Sequence, residues 1–289
     1  MTRALVLIAD DYALTPGVCD AIRLLAESRR ISGTSVLVTE PCFEAEAAPL
    51  TQLRPGLALG LHVNLTLGAP LGAMPALAPL GRLPALMTLT QRALMGTLDL
   101  KDIESEITRQ LVRFEEGIGA PPDFIDGHQH VHVMPGIRHA LFRAVRRRGY
   151  RHTLLVRHPA DSVANIWCRG EERRKALGLA VLSTGFAAAA RTERLLTNTG
   201  FSGVSAFDPD ATERDFAGAA RCLGSRHLMM CHPGFPDAAL ARLDPVTDRR
   251  KVEYEALSKD NATTPLLWHP KRSVGGAIDW LDSNGESWR

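Results

Sequence analysis

The sequence predicts an α/β protein whose sheet curves into a distorted (β/α) barrel of about seven parallel strands. Apolar runs of about four to seven aliphatic and β-branched residues alternate with helical patterns along the chain, as in a buried parallel sheet. The length of 289 residues suits one such barrel. Rare polar residues recur directly after the apolar runs, at the end of the strands where barrels of this class carry their functional side chains.

The predicted strands cover residues 5–9, 34–38, 57–61, 124–127, 153–156, 203–206 and 228–231. The first helix has Thr15 as its N-cap and Pro16 at its first position. Its apolar face consists of Val18, Ala21, Ile22 and Leu25. A helix is also predicted over residues 102–116. The pattern therefore favours one domain, 1–289, in which each strand is followed by a helix.

Between residues 68 and 99 the strand–helix pattern lapses into a segment rich in glycine, proline, leucine and methionine. Long loops in compact domains are usually functional. We expect this insertion to cover the mouth of the barrel and to contact a substrate; a surface excursion without function is the alternative.

Composition narrows the range of partners. Hydrophobic residues make up 45% of the chain and charged residues 23%, which is ordinary for a folded soluble domain. The formal net charge of +2 provides no strong field to attract a polyanion, so nucleic-acid binding is not expected. The basic runs 146–148 and 249–251 are interpreted as solvated parts of helices.

The five cysteines are scattered and include no C-x-x-C pair. This pattern predicts reduced thiols in a cytoplasmic protein, without a disulfide framework or a zinc–thiolate site. Cys231 is expected to be buried packing and not a nucleophile. No run approaches the roughly 20 apolar residues of a membrane span, so none is predicted.

Aspartates and histidines follow four of the predicted strands. These residues are Asp10 and Asp11, His62, the alternating His128, His130 and His132, and His232. Burying carboxylates and imidazoles is costly unless they are paired or bind a metal. Aspartate together with two histidines is a common set of ligands for a hydrolytic metal ion. The sequence therefore predicts a metal centre at the carboxyl ends of the strands.

The alternatives differ from motif to motif. Asp10 and Asp11 point to opposite sides of an extended segment and so can take two roles, or else they cap the first helix. If the backbone stays extended, His128, His130 and His132 share one face, where one or two could bind an ion; a hydrogen-bonded polar cluster is the alternative.

The turn formed by Cys-His-Pro-Gly, 231–234, is expected to hold His232 at the rim as a proton donor. The remaining histidines are interpreted as structural. They are His139, His152, His158, His227 and His269.

These motifs together resemble those of the YdjC-like carbohydrate deacetylases. Segment 8–14, I-A-D-D-Y-A-L, is similar to the family's N-A-D-D-F-G, with Tyr and Ala in place of Phe and Gly. Segment 60–66, G-L-H-V-N-L-T, resembles G-L-H-x-N-L-T, and 126–132, D-G-H-Q-H-V-H, resembles D-S-H-x-H-V-H. Segments 155–159 and 230–234 resemble the R-x-P and H-P-G steps. The resemblance runs in order along most of the chain and fades after Arg250.

The resemblance implies roles for individual residues. The implied metal ligands are Asp11, His62 and His128. Proton transfer is implied for Asp10, as general base, and for His232, as proton donor or its partner. The residues implied to orient the base, the oxyanion or the sugar, and so to bind substrate, are Asn64, His130 and Arg157. A homodimer is also implied, while the fading likeness over 261–289 leaves the role of that segment open.

The resemblance and the site residues predict removal of the acetyl group from an N-acetylated sugar with one divalent metal ion. Imidazole ligands favour zinc, and magnesium, manganese, cobalt or nickel are also compatible. A metal-dependent phosphoesterase or amidohydrolase is the alternative, although such folds usually carry H-x-H on the first strand, where this chain has Asp10-Asp11. A sugar-binding protein without activity is a third possibility. The sequence does not select among N-acetylated sugars.

Overall fold

The computed structural model describes residues 4–150, 154–170 and 172–280. Its strands are β1 (Leu5–Tyr12), β2 (Gly33–Val36), β3 (Ala58–Val63), β4 (Phe124–Gly127), β5 (Leu155–Val156), β6 (Gly200–Ser202) and β7 (His227–Cys231). All of them pair in parallel, in the order β5-β4-β3-β2-β1-β7-β6. The predicted α/β class with parallel strands is confirmed.

The sheet curls into a barrel-like shape because one segment contacts both of its edges. Leu196 forms a parallel bridge with Leu155 of β5, and Gly200–Ser202, four to six residues further on, pairs with β7. The strand predicted over 203–206 was therefore placed too late. Gly203 has a φ of +93°, and a Cβ there would lie 2.1 Å from the carbonyl oxygen of Met230, so the strand ends before it. Thr153, part of another predicted strand, lies outside the described residues.

The helices cover the outside of the sheet. They are α1 (Pro16–Glu27), α2 (Phe43–Leu53), α3 (Leu86–Leu94), α4 (Leu100–Ile118), α5 (Ile137–Arg147), α6 (Val163–Arg169), α7 (Arg173–Leu182), α8 (Phe186–Thr192), α9 (Thr212–Ala219), α10 (Leu240–Leu243) and α11 (Asp248–Ser258). Helix α1 begins after Thr15 with Pro16 at its first turn, and buries the predicted apolar face. No helix in the described ranges has the length and apolar character needed to cross a bilayer.

Two apolar layers form the core. The larger layer lies between the sheet and the helices, and includes Ile22 of α1 and Phe114 of α4. The smaller layer fills the barrel, with Ile8, Phe124 and Met230 among its members. Because side chains alternate along a strand, β1, β3, β4, β5 and β7 contribute to both layers.

The end of the chain closes the amino ends of the strands. The Trp268 N–H donates to the Leu5 carbonyl at 2.9 Å, and Arg272 bonds to the Leu57 carbonyl and to Asp123, which precede β3 and β4. Trp268 stacks on Trp280, with ring centroids 5.2 Å apart. The described part of the 261–289 segment thus seals the bottom of the barrel.

Two expectations about loops and cysteines need correction. The insertion over 68–99 contains helix α3, and it is anchored by buried side chains such as Met74 and Leu89. Cys168 and Cys222 form a disulfide, with Cα atoms 6.4 Å apart, so the expectation of reduced thiols throughout was wrong. Sequence spacing did not indicate it because the partners are 54 residues apart and meet only through the fold.

Candidate metal centre

The site lies where the carboxyl ends of the strands meet. Ile8 faces the barrel interior, so Asp10, two residues further along β1, faces the same way, and Asp126 stands in the same relation to Phe124. His62, near the end of β3, joins them, with Asp126 as its register partner on β4. A cavity of about 780 Å³ opens above these groups. The alternation that fills the barrel thus also aims the polar side chains into its mouth.

Asp11 is turned towards two imidazoles by an unusual backbone conformation. Its φ is +69°, in the left-handed region, at the point where the register between β1 and β2 shifts. Its Oδ1 lies 3.0 Å from His128 Nδ1 and 3.3 Å from His62 Nε2. Ligand atoms of Asp11, His62 and His128 all lie within 4.8 Å of one another. The structure thus brings together the three residues implied as metal ligands.

The surroundings of His62 suit a metal ligand. Its Nδ1 lies 2.6 Å from Asp126 Oδ1 and 3.0 Å from Ser35 Oγ, which leaves Nε2 to face Asp11. Metal-bound histidines usually hold their second nitrogen against a carboxylate in this way. Burial alone would lower the pKa of His62, but Asp126, with Asp11 and Asp10, raises it to about 10. The site attracts a positive charge, and its donor set fits a divalent cation.

Asp10 is held by Arg157 beneath the cavity. Arg157 Nη1 and Nη2 donate to the two carboxylate oxygens of Asp10, each at 2.6 Å, and Nη2 also lies 2.5 Å from Asp126 Oδ2. The Arg157 side chain is fully buried. Of the roles implied for Arg157, this placement favours orienting the base over contacting the sugar, because its guanidinium lies below the aspartates and bonds to Asp10.

The same ion pair sets the charge of Asp10. Burial would raise the pKa of this carboxyl, but the Arg157 guanidinium outweighs burial and holds the pKa well below its usual range. Asp10 Oδ1 also accepts a hydrogen bond from Ser35 Oγ at 3.2 Å. Asp10 is therefore ionised and fixed in direction at neutral pH.

The three alternating histidines do not share one face. Strand β4 ends at Gly127, and Gln129 and His130 have φ values of +53° and +59°, so the chain coils directly after the strand. His128 faces Asp11, whereas His132 is buried and its Nε2 lies 2.8 Å from the Arg157 carbonyl oxygen. The extended backbone that the prediction required is absent from this segment, and the imidazoles point in different directions.

His130 lies at the cavity with an unused nitrogen. Its ring packs edge-on against Phe201, with centroids 5.9 Å apart, and lines the cavity. Its Nδ1 has no hydrogen-bond partner among the described residues. Burial, reinforced by the charge of Arg157, lowers the pKa of His130 to about 3, so the ring is neutral. The ring is therefore a neutral part of the cavity wall, and its Nδ1 is buried.

His232 lies across from Asp10 at the end of β7. Its Nε2 is 3.9 Å from Asp10 Oδ2, and its ring packs edge-on against Phe207. The backbone N–H of His232 donates to Glu253 Oε2 at 2.6 Å, and Arg249 holds the other oxygen of that carboxylate. Helix α11 thus fixes the turn that carries His232.

Asn64 has a different role from the predicted one. Its Nδ2 donates to Thr39 Oγ1 and to the Leu67 carbonyl, and its Oδ1 accepts from the N–H groups of Thr66 and Leu67. These four bonds use the full capacity of the amide. Asn64 therefore shapes the loop after β3, and its side chain offers nothing to a substrate.

Sequence reasoning missed Arg250, whose side chain is only 2% exposed. Its Nη2 donates to Asp11 Oδ2 at 2.6 Å and also bonds to Asp244. Burial would raise the pKa of Asp11, but Arg250 more than offsets this, so the pKa lies well below its usual value. The interpretation of run 249–251 as solvated was wrong for Arg249 and Arg250. Their burial could not be predicted from residue type, because the sequence does not distinguish a buried arginine from an exposed one.

Comparison with known proteins places this site in a family. The model of the YdjC-like protein family matches residues 4–266, so the chain belongs to that family and the resemblance is confirmed. Its relatives include chitooligosaccharide deacetylases of Serratia marcescens, 38% identical over 137 residues, and of Yersinia pestis (strain Pestoides F), 39% identical over 141 residues. Both matches cover 47% of this chain and 53% of the relative, so the chain spans about half the length of these curated relatives.

One solved structure shares the fold over nearly the whole chain. It comes from Enterococcus faecalis V583 and is described provisionally as a cellobiose-phosphate cleavage protein. The superposition covers 93% of this chain and 97% of that one, with a TM-score of 0.67 and 21% sequence identity. At this identity the similarity establishes a common fold.

Proposed function

We propose that the protein is a metal-dependent hydrolase that removes the acetyl group from an N-acetylated sugar. The observation that carries the proposal is the convergence of Asp11, His62 and His128 within 4.8 Å, beside an ionised Asp10. The names of the two bacterial relatives support the reaction class.

The residues implied to hold the ion are Asp11, through Oδ1, His62, through Nε2, and His128. A divalent metal in such a site polarises a carbonyl and acidifies bound water. Asp10 takes a proton from the attacking water, and the two bonds from Arg157 keep its carboxylate pointed into the site. Ser35 steadies both Asp10 and His62, so the proton acceptor and a metal ligand are held relative to each other.

His232 is the proposed proton donor. Its Nε2 lies 3.9 Å from Asp10 Oδ2, so a reacting group beside this pair is within reach of both the imidazole and the carboxylate. Amide hydrolysis needs a proton on the departing nitrogen, and an imidazole is suited to deliver it near neutral pH. The Glu253 contact to the His232 backbone holds the turn that carries the ring.

The cavity walls are assigned to substrate recognition. Leu86, the first residue of α3 in the 68–99 insertion, lines the cavity together with Leu67, which directly precedes the insertion, and Leu179 of α7. The His130 ring, which is neutral, forms part of the same cavity wall. We assign recognition of the N-acetylated sugar to this insertion and to His130.

Acetate release from a panel of N-acetylated glycans tests the proposal. Chelator-treated protein, with and without added zinc, is incubated with chitooligosaccharides, other N-acetylglucosamine conjugates and a set of phosphate esters. We expect acetate from at least one glycan only when metal is present. Release of phosphate without acetate would establish the phosphoesterase alternative, and metal-dependent glycan binding without either product would establish a binding protein.

Zinc is our first choice of metal, since two of the three ligands are imidazoles. Homodimerisation stays a prediction from the resemblance. A cytoplasmic location also stays a prediction, and the Cys168–Cys222 disulfide removes the cysteine argument that supported it.

A further inference from the structure

Two cysteines outside the candidate metal centre lie against each other. Cys19 lies in helix α1 and Cys42 directly before helix α2, and their sulfurs lie within 4.8 Å of each other. A carboxylate oxygen of Glu46 lies within 4.8 Å of both sulfurs. We propose that Cys19 and Cys42 are a peroxide-oxidisable pair, a modification site that is linked to the turn carrying Asp11.

The two thiols differ in access and in charge. Cys42 is partly exposed, whereas Cys19 is fully buried. The neighbouring Cys19 thiol, together with the nearby Arg23 guanidinium, lowers the pKa of the Cys42 thiol. The neighbouring Cys42 thiol and burial raise the pKa of Cys19, which keeps its proton. Cys42 is therefore the nucleophile and Cys19 the resolving thiol.

Glu46 is already engaged, so the sulfurs are the reactive atoms of this cluster. Its carboxylate pairs with Arg23, and it also accepts a hydrogen bond from Tyr12 Oη at 3.3 Å. Arg23 in addition donates to Tyr12 Oη at 3.2 Å. With its acidic group neutralised by a guanidinium, the cluster favours thiol chemistry over the capture of a cation.

The oxidation balances with hydrogen peroxide as oxidant. The Cys42 thiolate attacks one peroxide oxygen and the O–O bond breaks, which makes Cys42 a sulfenic acid and releases hydroxide. The hydroxide takes up the proton that the Cys42 thiol lost on ionising and leaves as one water. The Cys19 sulfur then attacks the Cys42 sulfur, the S–O bond breaks, and the Cys19 proton departs with the hydroxide as a second water. Each disulfide consumes one peroxide. The sulfurs, which lie within 4.8 Å of each other, must approach to about 2.05 Å for the disulfide to form.

The pair touches the turn that carries a proposed metal ligand. Cys19 Sγ accepts a hydrogen bond from the Ala13 N–H at 3.2 Å. Ala13 has a φ of +73° and lies two residues after Asp11, whose φ is +69°. Moving the Cys19 sulfur towards Cys42 withdraws this acceptor from a turn in a sparsely populated conformation. Oxidation therefore loosens the segment between β1 and α1.

Mapping of cysteines after peroxide treatment tests the proposal. The full chain is exposed to hydrogen peroxide, alkylated under denaturing conditions, digested without reduction and analysed by mass spectrometry. We expect a new disulfide-linked peptide containing Cys19 and Cys42. The internal control is Cys231, a buried thiol that donates a hydrogen bond to the Ile8 carbonyl and should be recovered in the alkylated form. Recovery of Cys19 and Cys42 as free thiols would overturn the proposal.

Two variants assign the roles of the thiols. In Cys19→Ser, Cys42 should accumulate as a sulfenic acid that dimedone traps; in Cys42→Ser, Cys19 should stay a free thiol. Trapping at Cys19 in place of Cys42 would contradict the assignment. In the oxidised wild-type protein, amide exchange in a peptide spanning residues 10–15 should accelerate about tenfold, the effect of losing one buried hydrogen bond. Unchanged exchange there would overturn the link to the Asp11 turn.

Discussion

Asp10 combines a fixed direction with a full negative charge inside a mostly buried site. Arg157 supplies both properties through its two hydrogen bonds, at the cost of a pKa well below the usual value for aspartate. A carboxylate with a lowered pKa is a weaker base, so the proposed reaction depends on a metal to make the attacking water more acidic. Asp10 and the metal ligands thus form one interdependent unit.

Replacing Asp10 by Asn tests the proton-transfer role. The variant keeps the size of the side chain but cannot accept the proton, so we expect kcat to fall by about 10²- to 10⁴-fold while one equivalent of metal is retained. Acetate release and elemental analysis measure the two effects. The matched control is Asp20→Asn on α1, where the side chain is 55% exposed and activity should not change. Full activity in Asp10→Asn would remove Asp10 from the mechanism.

Asn64 is expected to matter for stability and not for binding. Asn64→Ala leaves the N–H groups of Thr66 and Leu67 without their acceptor, which should lower the free energy of unfolding by about 1–3 kcal/mol. Urea unfolding measures the loss, and KM should stay near the wild-type value. A raised KM with unchanged stability would restore the substrate contact that its position in the sequence suggested.

The convergence of Asp11, His62 and His128 could be predicted from the sequence, and the finer directions could not. The carboxyl ends of parallel strands meet at one end of a barrel, so polar residues after three strands were expected to meet there. The orientations of His130 and Asn64 depend on left-handed turns and on local hydrogen bonds after the strands. Neither a residue's type nor the spacing of the histidines reveals such dihedral angles.

Among the secondary-structure elements, helix α11 supports the site most directly. It carries Arg250, which contacts Asp11, and Glu253, which holds the His232 backbone. The family match ends at residue 266, soon after this helix. Because Arg250 and Glu253 make these two contacts, the polar face of helix α11 is turned inward, towards Asp11 and His232.

Arg250→Met tests this inward support. Removing one partner of a buried ion pair leaves Asp11 without its counter-charge, so the chelator-treated protein should lose about 3–5 kcal/mol of unfolding free energy. A bound cation beside Asp11 should reduce the loss. Lys251→Met is the control. The Lys251 side chain is 59% exposed, so its replacement should change the free energy of unfolding by less than about 0.5 kcal/mol. Equal losses of unfolding free energy in the two variants would show that the buried Arg250–Asp11 pair does not stabilise the protein.

Errors in element prediction have identifiable physical causes. The strand over 203–206 was predicted from its apolar residues, but Gly203 ends the strand and sends the following residues to the cavity wall. Run 249–251 was interpreted as solvated because hydropathy cannot distinguish an arginine paired in the interior from one in water. Helix α1 was predicted well because its N-cap, proline and apolar face all indicate the same structure.

At the scale of the whole molecule, the candidate reaction centre and the packing that closes the barrel lie at opposite ends of the strands. The candidate metal centre occupies the carboxyl ends of the strands, and Trp268 and Trp280 close the amino ends. The alternation of strands and helices predicted this architecture from the sequence. The Cys168–Cys222 disulfide and the closing role of the last residues could not be predicted, because both depend on contacts between distant parts of the chain.

Trp280→Ala should therefore destabilise the protein without affecting catalysis. Its side chain is 2% exposed in the barrel core, and truncation of such a residue costs about 3–5 kcal/mol. Urea unfolding should show this loss, whereas kcat and KM for acetate release at low temperature should match the wild type. Trp167→Ala, at a tryptophan that is 55% exposed, should have little effect on stability. An altered KM in Trp280→Ala would contradict the separation of the two barrel ends.

Metal binding by two neighbouring histidine variants tests the central claim most directly. His128 and His130 lie in the same turn, but only His128 faces Asp11 and His62. Equilibrium dialysis of chelator-treated protein against zinc, followed by elemental analysis, should give one equivalent for wild type and His130→Ala, and at least tenfold weaker binding for His128→Ala. Equal zinc affinity in the two variants, or the opposite order, would contradict the account.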